Sequence, residues 1–223
     1  MRAAPHLDTN QGAKLNFEGK INFFFDPTCP WTFVASQWIR QVSNQTQLPI
    51  TYRPFSLALK NKENDVPEPY RSSQMSGLSI LRMVVKVQAL EGAQSNLIGE
   101  LYRQFAKEYH LGGDKAVDPK VIAKRVGLSE DVIEAISDTA LDSAIEDEMK
   151  FALSFTGNDV GVPIVVVEVN GDTFGFFGPI LHRLPDVEHS VKLFNALVEL
   201  AEIECFSELK RSRAQVDVGS HLV

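Results

Sequence analysis

The segment from Ile21 to Thr32 restricts the fold of this 223-residue chain more than any other. Its first part, Ile21 to Phe25, is an apolar run too short for a helix, and it predicts a buried strand of the parallel type. Pro30 then opens a pattern in which apolar residues recur every three or four positions, typical of an amphipathic helix. Cys29 is therefore predicted to lie where a buried strand passes directly into a helix.

The helix is followed by a second predicted strand, from Ile50 to Phe55, which completes a βαβ unit. Strand character is then almost absent for roughly ninety residues. This block predicts helices at Leu78 to Tyr109 with an interruption around Gly92, at Pro119 to Val126, at Ser129 to Ser137 and at Leu141 to Phe155.

Strand character returns after Gly157. The run from Pro163 to Val169 is the most β-prone of the chain, and a turn leads from it into a returning strand, Thr173 to Phe177. An amphipathic pattern then predicts a last helix from Val187 to Leu209. The order βαβ, helical block, ββα indicates an α/β protein whose two halves are separated by a helical insertion.

Charge and cysteine content narrow the possible functions. The net charge of -7 and the pI near 5.3 argue against a nucleic acid or an anionic membrane as the main partner. No apolar run is long enough to span a membrane, and the two cysteines form no short-range framework or metal-ligand cluster in the sequence. We therefore expect a cytoplasmic protein without a metal site.

The position of Cys29 is the strongest indication of chemistry. Unpaired backbone N–H groups and the positive end of the helix dipole stabilise a thiolate at a helix N-terminus. A lowered pKa would make this sulfur a nucleophile near neutral pH and a good leaving group, and both properties serve thiol–disulfide exchange. The alternative is that Cys29 is a small buried apolar residue, as free cysteines often are.

Residues 26–32, which read DPTCPWT, together with Gly161-Val162-Pro163, resemble the active site of DsbA-like thioredoxin-fold proteins. Within that family, the subgroup most similar to this chain is that of the mycothiol-dependent nitroreductases, and the likeness extends from about Ile21 to Arg213. The resemblance implies a thioredoxin-like fold (βαβ + ββα) with an inserted helical domain. We expect one domain over residues 18–213, the insertion over residues 60–157 and a flexible N-terminal segment over residues 1–17.

The resemblance also implies roles for individual residues. The bond between Val162 and Pro163 would be cis and would face Cys29, the nucleophile. The residues that border the substrate would be Pro30, Trp31, Val162, Pro163, Phe177 and Gly178.

One position departs from the subgroup, which typically has a second, resolving cysteine where this chain has Thr32. Without that cysteine, an internal disulfide within the motif is impossible. The natural alternative is a monothiol cycle in which Cys29 attacks a disulfide or a small electrophile, and a low-molecular-weight thiol such as mycothiol, a co-substrate rather than a bound cofactor, releases the adduct. Thr32 would then donate its hydroxyl hydrogen bond to the Cys29 thiolate.

Two other functions stay open. Kappa-class glutathione transferases and chromene-carboxylate isomerases share the inserted architecture, but they typically carry serine in place of Cys29 and activate a bound thiol. A thioredoxin-fold module that binds a partner and has lost turnover is the non-enzymatic alternative. The sequence is compatible with a monomer or a homodimer.

Several residues outside the motif also have predicted roles. Cys205 is predicted to be a buried structural thiol on the apolar face of the last helix. The basic run from Lys210 to Arg213 is interpreted as the solvated end of that helix, and His182 as an ordinary surface residue that could approach the site as a base. Core positions are predicted for Trp38, Tyr102, Phe105 and Tyr109.

Overall fold

The computed structural model describes residues 19–112, 115, 117–169 and 171–218. A four-stranded sheet with the order β2-β1-β3-β4 forms its centre. The strands are β1 (Gly19–Phe25), β2 (Ile50–Pro54), β3 (Ile164–Val169) and β4 (Asp172–Phe177). β1 pairs in parallel with β2 and antiparallel with β3, and β3 pairs antiparallel with β4. The two central strands, β1 and β3, are the most apolar because helices cover both faces of the sheet.

Eight α-helices lie in the described part of the chain. They are α1 (Pro30–Thr46), α2 (Leu57–Lys60), α3 (Glu68–Glu91), α4 (Asn96–Leu111), α5 (Pro119–Val126), α6 (Glu130–Glu134), α7 (Asp142–Thr156) and α8 (Val187–Ala201). α1 links β1 to β2, and α8 follows β4, so these elements form the βαβ and ββα units. The other six helices are inserted between β2 and β3. The predicted thioredoxin-like α/β fold with a helical insertion is confirmed.

The core contains the residues for which the sequence predicts burial. Trp38 is fully buried between α1 and α8, where its Nε1 donates a hydrogen bond to the carbonyl oxygen of Ser190 at 3.1 Å. Tyr102, Phe105 and Tyr109 of α4 are also buried, which confirms the prediction of a core position for all three. Tyr102 joins the insertion to the sheet, since its ring packs at a tilt against that of Phe25 of β1 with centroids 4.3 Å apart.

The prediction that a helix begins at Leu78 was wrong, because α3 already begins at Glu68. Pro69 lies in its first turn, where proline is tolerated since its missing N–H would have no helical partner. Residues 68–76 of this helix are largely exposed and polar. They therefore lack the apolar periodicity on which the prediction depended.

The helix predicted from Ser129 to Ser137 is also shorter. α6 covers Glu130–Glu134, and a 3-10 helix, Ala135–Ser137, follows it. The short helix α2 was not predicted. The predicted N-terminal segment 1–17 and Asn170 of the predicted hairpin turn lie outside the described residues.

The last helix was predicted too long, because α8 ends at Ala201 rather than at Leu209. Glu199, Glu202 and Glu204 cluster at this end, where the negative pole of the helix dipole disfavours carboxylates. Cys205, predicted to be buried, is exposed in the irregular segment that follows. The basic run from Lys210 to Arg213 is likewise part of this segment and not a helix end.

No helix in the described ranges combines the length and the apolar character that crossing a membrane requires. The same ranges contain no group of three or more His, Cys, Asp or Glu side chains arranged to hold a metal ion.

Candidate active site

Cys29 lies at the N-cap of α1 with an extended backbone conformation, φ -78° and ψ 117°. Its amide donates to the carbonyl oxygen of Asp26 at 3.2 Å, which closes the turn after β1, and its own carbonyl oxygen accepts from Phe33 at 3.1 Å as the first helical hydrogen bond. The side chain is 7% exposed. The sulfur is thus held at the N-terminus of α1, directly beyond the end of β1.

A buried carboxyl group fixes the turn that precedes the cysteine. Asp26 is fully buried, and its Oδ1 accepts hydrogen bonds from the amide of Thr28 at 2.9 Å and from the Thr28 hydroxyl at 2.7 Å. Its Oδ2 accepts from the amide of Leu57 at 2.8 Å. A Cβ on Gly77 of α3 would lie 2.8 Å from Asp26 Oδ1, so only glycine lets this helix approach so closely. The turn is therefore tied to the insertion at two places, the start of α2 and the middle of α3.

The opposite wall of the site is the loop that precedes β3. The peptide bond between Val162 and Pro163 is cis. The Cys29 thiol lies 3.7 Å from the carbonyl oxygen of Val162 and donates to it. The carbonyl oxygen of Pro163 accepts from the amide of Gly178 at 2.8 Å. The fold thus brings Cys29 to Val162, Pro163 and Gly178, all of which lie more than a hundred positions after it in the sequence.

The remaining two residues expected to border the substrate are less enclosed. Trp31 is half-buried, and its ring centroid lies 5.9 Å from the guanidinium carbon of Arg213 in the C-terminal segment. Phe177 is half-buried at the end of β4, paired with Ile164, the residue that follows Pro163. Both residues therefore flank the elements that carry the sulfur and the cis bond.

Burial raises the pKa of the Cys29 thiol above its ordinary value. The Thr32 side chain and the backbone N–H groups of Thr32 and Trp31 act in the opposite direction, while the nearby Asp26 carboxyl adds to the rise. The expectation of a lowered pKa is therefore not met in this structure, because the cost of placing a charge in the buried site exceeds the stabilisation by the helix N-terminus.

Thr32 lies one turn into α1 and is fully buried. Its hydroxyl makes no hydrogen bond of normal geometry within the described residues. It nevertheless lies close enough to the Cys29 sulfur to lower the pKa of that thiol. A thiolate is a larger and stronger acceptor than the thiol, so ionisation of Cys29 would engage a Thr32 hydroxyl that has no other partner among the described residues.

His110, in the last turn of α4, is a site residue that the sequence did not reveal. Its Nε2 lies 3.1 Å from the carbonyl oxygen of Pro27, so this nitrogen carries the proton, and its ring stacks on Phe33 with centroids 4.8 Å apart. Burial lowers the pKa of His110 to about 4. The imidazole is therefore neutral at pH 7 and attaches the insertion to the active-site turn.

Two further candidate features are the loop residue His182 and a cavity. His182 is exposed, and its carbonyl oxygen accepts from the amide of Asp217 at 2.7 Å. A cavity of about 630 Å³ lies at the far end of α1 between this helix, β2 and the start of α4, and Cys29 does not line it.

The comparison with protein families decides to which group the chain belongs. Residues 28–211 match the family described as Rv2466c-like, mycothiol-dependent nitroreductase Rv2466c. The chain belongs to this family. It is also 29% identical over 201 residues to the uncharacterised protein Rv2286c of Mycobacterium tuberculosis, a match that covers 89% of this chain and 84% of that protein.

Solved structures show the same fold as this member of the Rv2466c-like family. The cytosolic disulfide reductase DsbM from Pseudomonas aeruginosa is 15% identical, with a TM-score of 0.53, over 82% of this chain and 100% of that one. A putative protein disulfide isomerase from Nitrosomonas europaea is 13% identical, with a TM-score of 0.56, over 82% of this chain and 98% of that one. These neighbours are of the DsbA-like, thioredoxin-fold type, as is this family member.

The arrangement sets limits on the chemistry of the site. A single sulfur faces the carbonyl oxygen of Val162, and the groups that favour a thiolate are the Thr32 hydroxyl and the backbone amides of Trp31 and Thr32 at the start of α1. With Thr32 in place of a second sulfur, no disulfide can form within the first turn of α1. The chain therefore belongs to a family of thiol-disulfide oxidoreductase type but contains one cysteine at its site.

Proposed function

We propose that this protein catalyses thiol–disulfide exchange by a monothiol cycle, with Cys29 as the nucleophile and mycothiol, or a similar low-molecular-weight thiol, as co-substrate. The observation that carries the proposal is the position of the Cys29 sulfur, between the N-terminus of α1 and the cis Val162–Pro163 bond. The membership of the chain in a mycothiol-dependent family supports the choice of thiol. The cytoplasmic localisation expected from the sequence is part of the proposal.

In the first step, the Cys29 thiolate attacks one sulfur of a substrate disulfide X–S–S–Y. The new bond joins Cys29 to the X sulfur, the S–S bond breaks, and Y–S⁻ leaves and takes up a proton equivalent to the one that Cys29 lost. The thiolate of a low-molecular-weight thiol M–SH then attacks the X sulfur. M–S–S–X is released, Cys29 recovers its proton, and no net oxidation or reduction of the protein occurs.

Each group around Cys29 has a place in this cycle. The thiol rests in its protonated form because burial raises its pKa. The amides of Trp31 and Thr32, and the Thr32 hydroxyl, favour the thiolate both as attacking group and as leaving group. The backbone around Val162, with Trp31, Phe177 and Gly178 beside it, would orient the disulfide along the line of attack.

The direct test compares Cys29→Ser with the wild-type protein in steady-state exchange between mycothiol and a small disulfide. Loss of the nucleophile is expected to lower kcat/KM on the order of a thousandfold or more. Ser143→Ala changes an exposed residue in the first turn of α7; it is the matched control and should keep full activity. Retention of most activity by Cys29→Ser would contradict the proposal and would indicate chemistry on the bound thiol, as in the kappa-class transferases.

A further inference from the structure

The cavity at the far end of α1 has no part in the proposed exchange. Its volume of about 630 Å³ is ordinary for a small-molecule site. Most of its lining side chains are polar, and they come mainly from α1, β2 and the region where α4 begins. The fold therefore gathers polar groups from three elements around a space that is large enough for a small molecule.

The charges in the wall of this cavity do not balance. Its charged residues are Arg40, Arg103 and Glu100. Glu100 is engaged on both oxygens, because Oε2 pairs with Arg103 and Oε1 accepts a hydrogen bond from Gln104 at 2.8 Å. Arg40 is half-buried and has neither an ion pair nor a side-chain hydrogen bond to any residue that the structure describes. One guanidinium group thus lies in the wall without a counter-charge, although partly buried charges are ordinarily paired.

The ring of Tyr52, which also lines the cavity, is held in a fixed position. It packs against the rings of Phe23, Phe25 and Tyr102 at centroid distances of 5.9, 6.1 and 5.8 Å. Gly99 of α4 lies on its other side, where an added Cβ would come within 2.9 Å of the ring. The core therefore positions the Tyr52 hydroxyl as a rigid group.

The Tyr52 hydroxyl makes no hydrogen bond within the described ranges. Burial raises its pKa, so the hydroxyl keeps its proton at pH 7 and can donate it in a hydrogen bond. Arg40 and Arg103 oppose this rise, which means that both guanidinium groups lie near the hydroxyl. Three donors that suit an anionic group are thus close together in the cavity wall.

Two glutamines of α1 complete this wall. Gln37 is 6% exposed, and its Nε2 donates to the carbonyl oxygen of Phe33 at 3.3 Å, which leaves Oε1 as an acceptor. Gln41 accepts at Oε1 from the hydroxyl of Ser190 at 2.6 Å, which leaves Nε2 as a donor. Both amides are oriented by bonds within the protein, so their other ends are available to a ligand.

We propose that this cavity binds a small organic anion, with Arg40 and Tyr52 holding its carboxylate or phosphate group and the two α1 glutamines contacting the rest of the molecule. A guanidinium group donates two parallel hydrogen bonds to either kind of anionic group. The positive pole of the 16-residue helix α4, whose first residue Asn96 lines the cavity, adds to the attraction. The site is separate from the exchange chemistry, because Cys29 does not line it.

The test is calorimetric titration of the full-length protein with citrate, succinate, inorganic phosphate and glycerol 3-phosphate at constant ionic strength. At least one of these anions should bind with a Kd on the order of 1 mM or tighter. Arg40→Gln should weaken that binding about tenfold or more, and Tyr52→Phe about fivefold, since each removes a hydrogen bond to a charged group. Arg211→Gln makes the same change of charge at an exposed residue outside the cavity and should bind as the wild-type protein does.

Stability and location give two further readouts. Without an anion, Arg40→Gln should not lower the free energy of unfolding in urea, because Arg40 has no ion pair to lose among the residues described. In ¹H–¹⁵N spectra, the amide shifts caused by the anion should cluster at residues 93–100 and at Tyr52. These results would distinguish a binding role of Arg40 from a structural one.

The opposite results are equally clear. Failure of all four anions to bind at about 10 mM, or equal weakening in Arg40→Gln and Arg211→Gln, would overturn the assignment. Amide shifts centred on residues 210–213 would place the anion on the basic run and would overturn it too. Cys29→Ser should bind the anion as the wild-type protein does, so failure of this proposal and failure of the proposed function are separate results.

Discussion

The two cysteines of the chain occupy opposite environments. Cys29 is enclosed by β1, α1 and the loop before β3, whereas Cys205 is exposed in a segment without regular secondary structure. Enclosure positions the first sulfur accurately but makes its negative charge costly, since burial raises its pKa. Exposure leaves the second sulfur accessible to reagents in solvent. Accurate position and free access are therefore divided between two thiols.

Differential alkylation is expected to show the largest contrast between these regions. With iodoacetamide at pH 7, Cys205 should react about 100-fold faster than Cys29, because Cys205 is exposed to the reagent whereas Cys29 is buried and burial raises its pKa. Peptide mapping of partly alkylated protein measures the ratio. Faster modification of Cys29 would mean that stabilisation by the helix N-terminus outweighs burial.

His110, which attaches the insertion to the active-site turn, should make the free energy of unfolding depend on pH. Because the pKa of His110 falls to about 4 in the folded protein, the unfolded chain binds more protons between about pH 4 and 6.5, and stability is lost as the pH falls through this window. From pH 7 to pH 5 the expected loss is about 2 kcal/mol.

Urea unfolding at the two pH values tests this expectation, with His110→Gln as the comparison. The variant should lose most of the difference in unfolding free energy between pH 7 and pH 5. An equal difference in both proteins would show that other groups cause the pH dependence.

The Thr32 hydroxyl should affect activity and stability in opposite ways. Thr32→Val removes a donor to the thiolate, so the pKa of Cys29 should rise and exchange at pH 7 should slow about tenfold, or about 1.4 kcal/mol. It also removes a buried hydroxyl without a partner of normal geometry, so the free energy of unfolding should not fall. Thr32→Ser retains the donor and serves as the control for exchange. A slow Ser variant would point to packing rather than to the hydroxyl.

The contact between the C-terminal segment and the active site should contribute least. Arg213→Ala removes a cation from above Trp31 and is expected to cost about 0.5 kcal/mol, typical of an exposed cation–π contact. Tryptophan fluorescence and thermal unfolding report the change. Arg213→Lys retains a cation and should behave like the wild-type protein, whereas a loss above about 2 kcal/mol in Arg213→Ala would mean that the segment is an integral part of the fold.

The contrast between the enclosed site and the exposed segment after α8 also explains which parts of the structure the sequence could predict. β1, α1 and β3 follow from local apolar patterns, because their residues are buried by elements that any such fold supplies. The end of α8 did not follow, since the apolar pattern continues through Ile203, Phe206 and Leu209 although these residues are exposed. An apolar periodicity indicates that one face of a helix would be apolar. It does not indicate whether another element of the fold packs against that face.

The site was predictable only where a motif or a chain junction marks it. Cys29 and Pro163 are of this kind. His110 is not, because it acts on a backbone carbonyl oxygen of a residue 83 positions away, and no local pattern records such a contact. The pKa of Cys29 was missed for a related reason: the helix N-terminus is visible in the sequence, but the depth of burial is a property of the assembled core.

The most direct test of the central claim is the site and pH dependence of adduct formation. Cys205→Ser protein is exposed to oxidised mycothiol between pH 6 and pH 8, and the adduct is located by peptide mapping. We expect a single adduct on Cys29, reversible by added thiol, whose rate of formation rises about tenfold per pH unit because a thiol of raised pKa gains thiolate in that proportion. Absence of the adduct on Cys29 would contradict the account of this protein as a thiol–disulfide exchange enzyme.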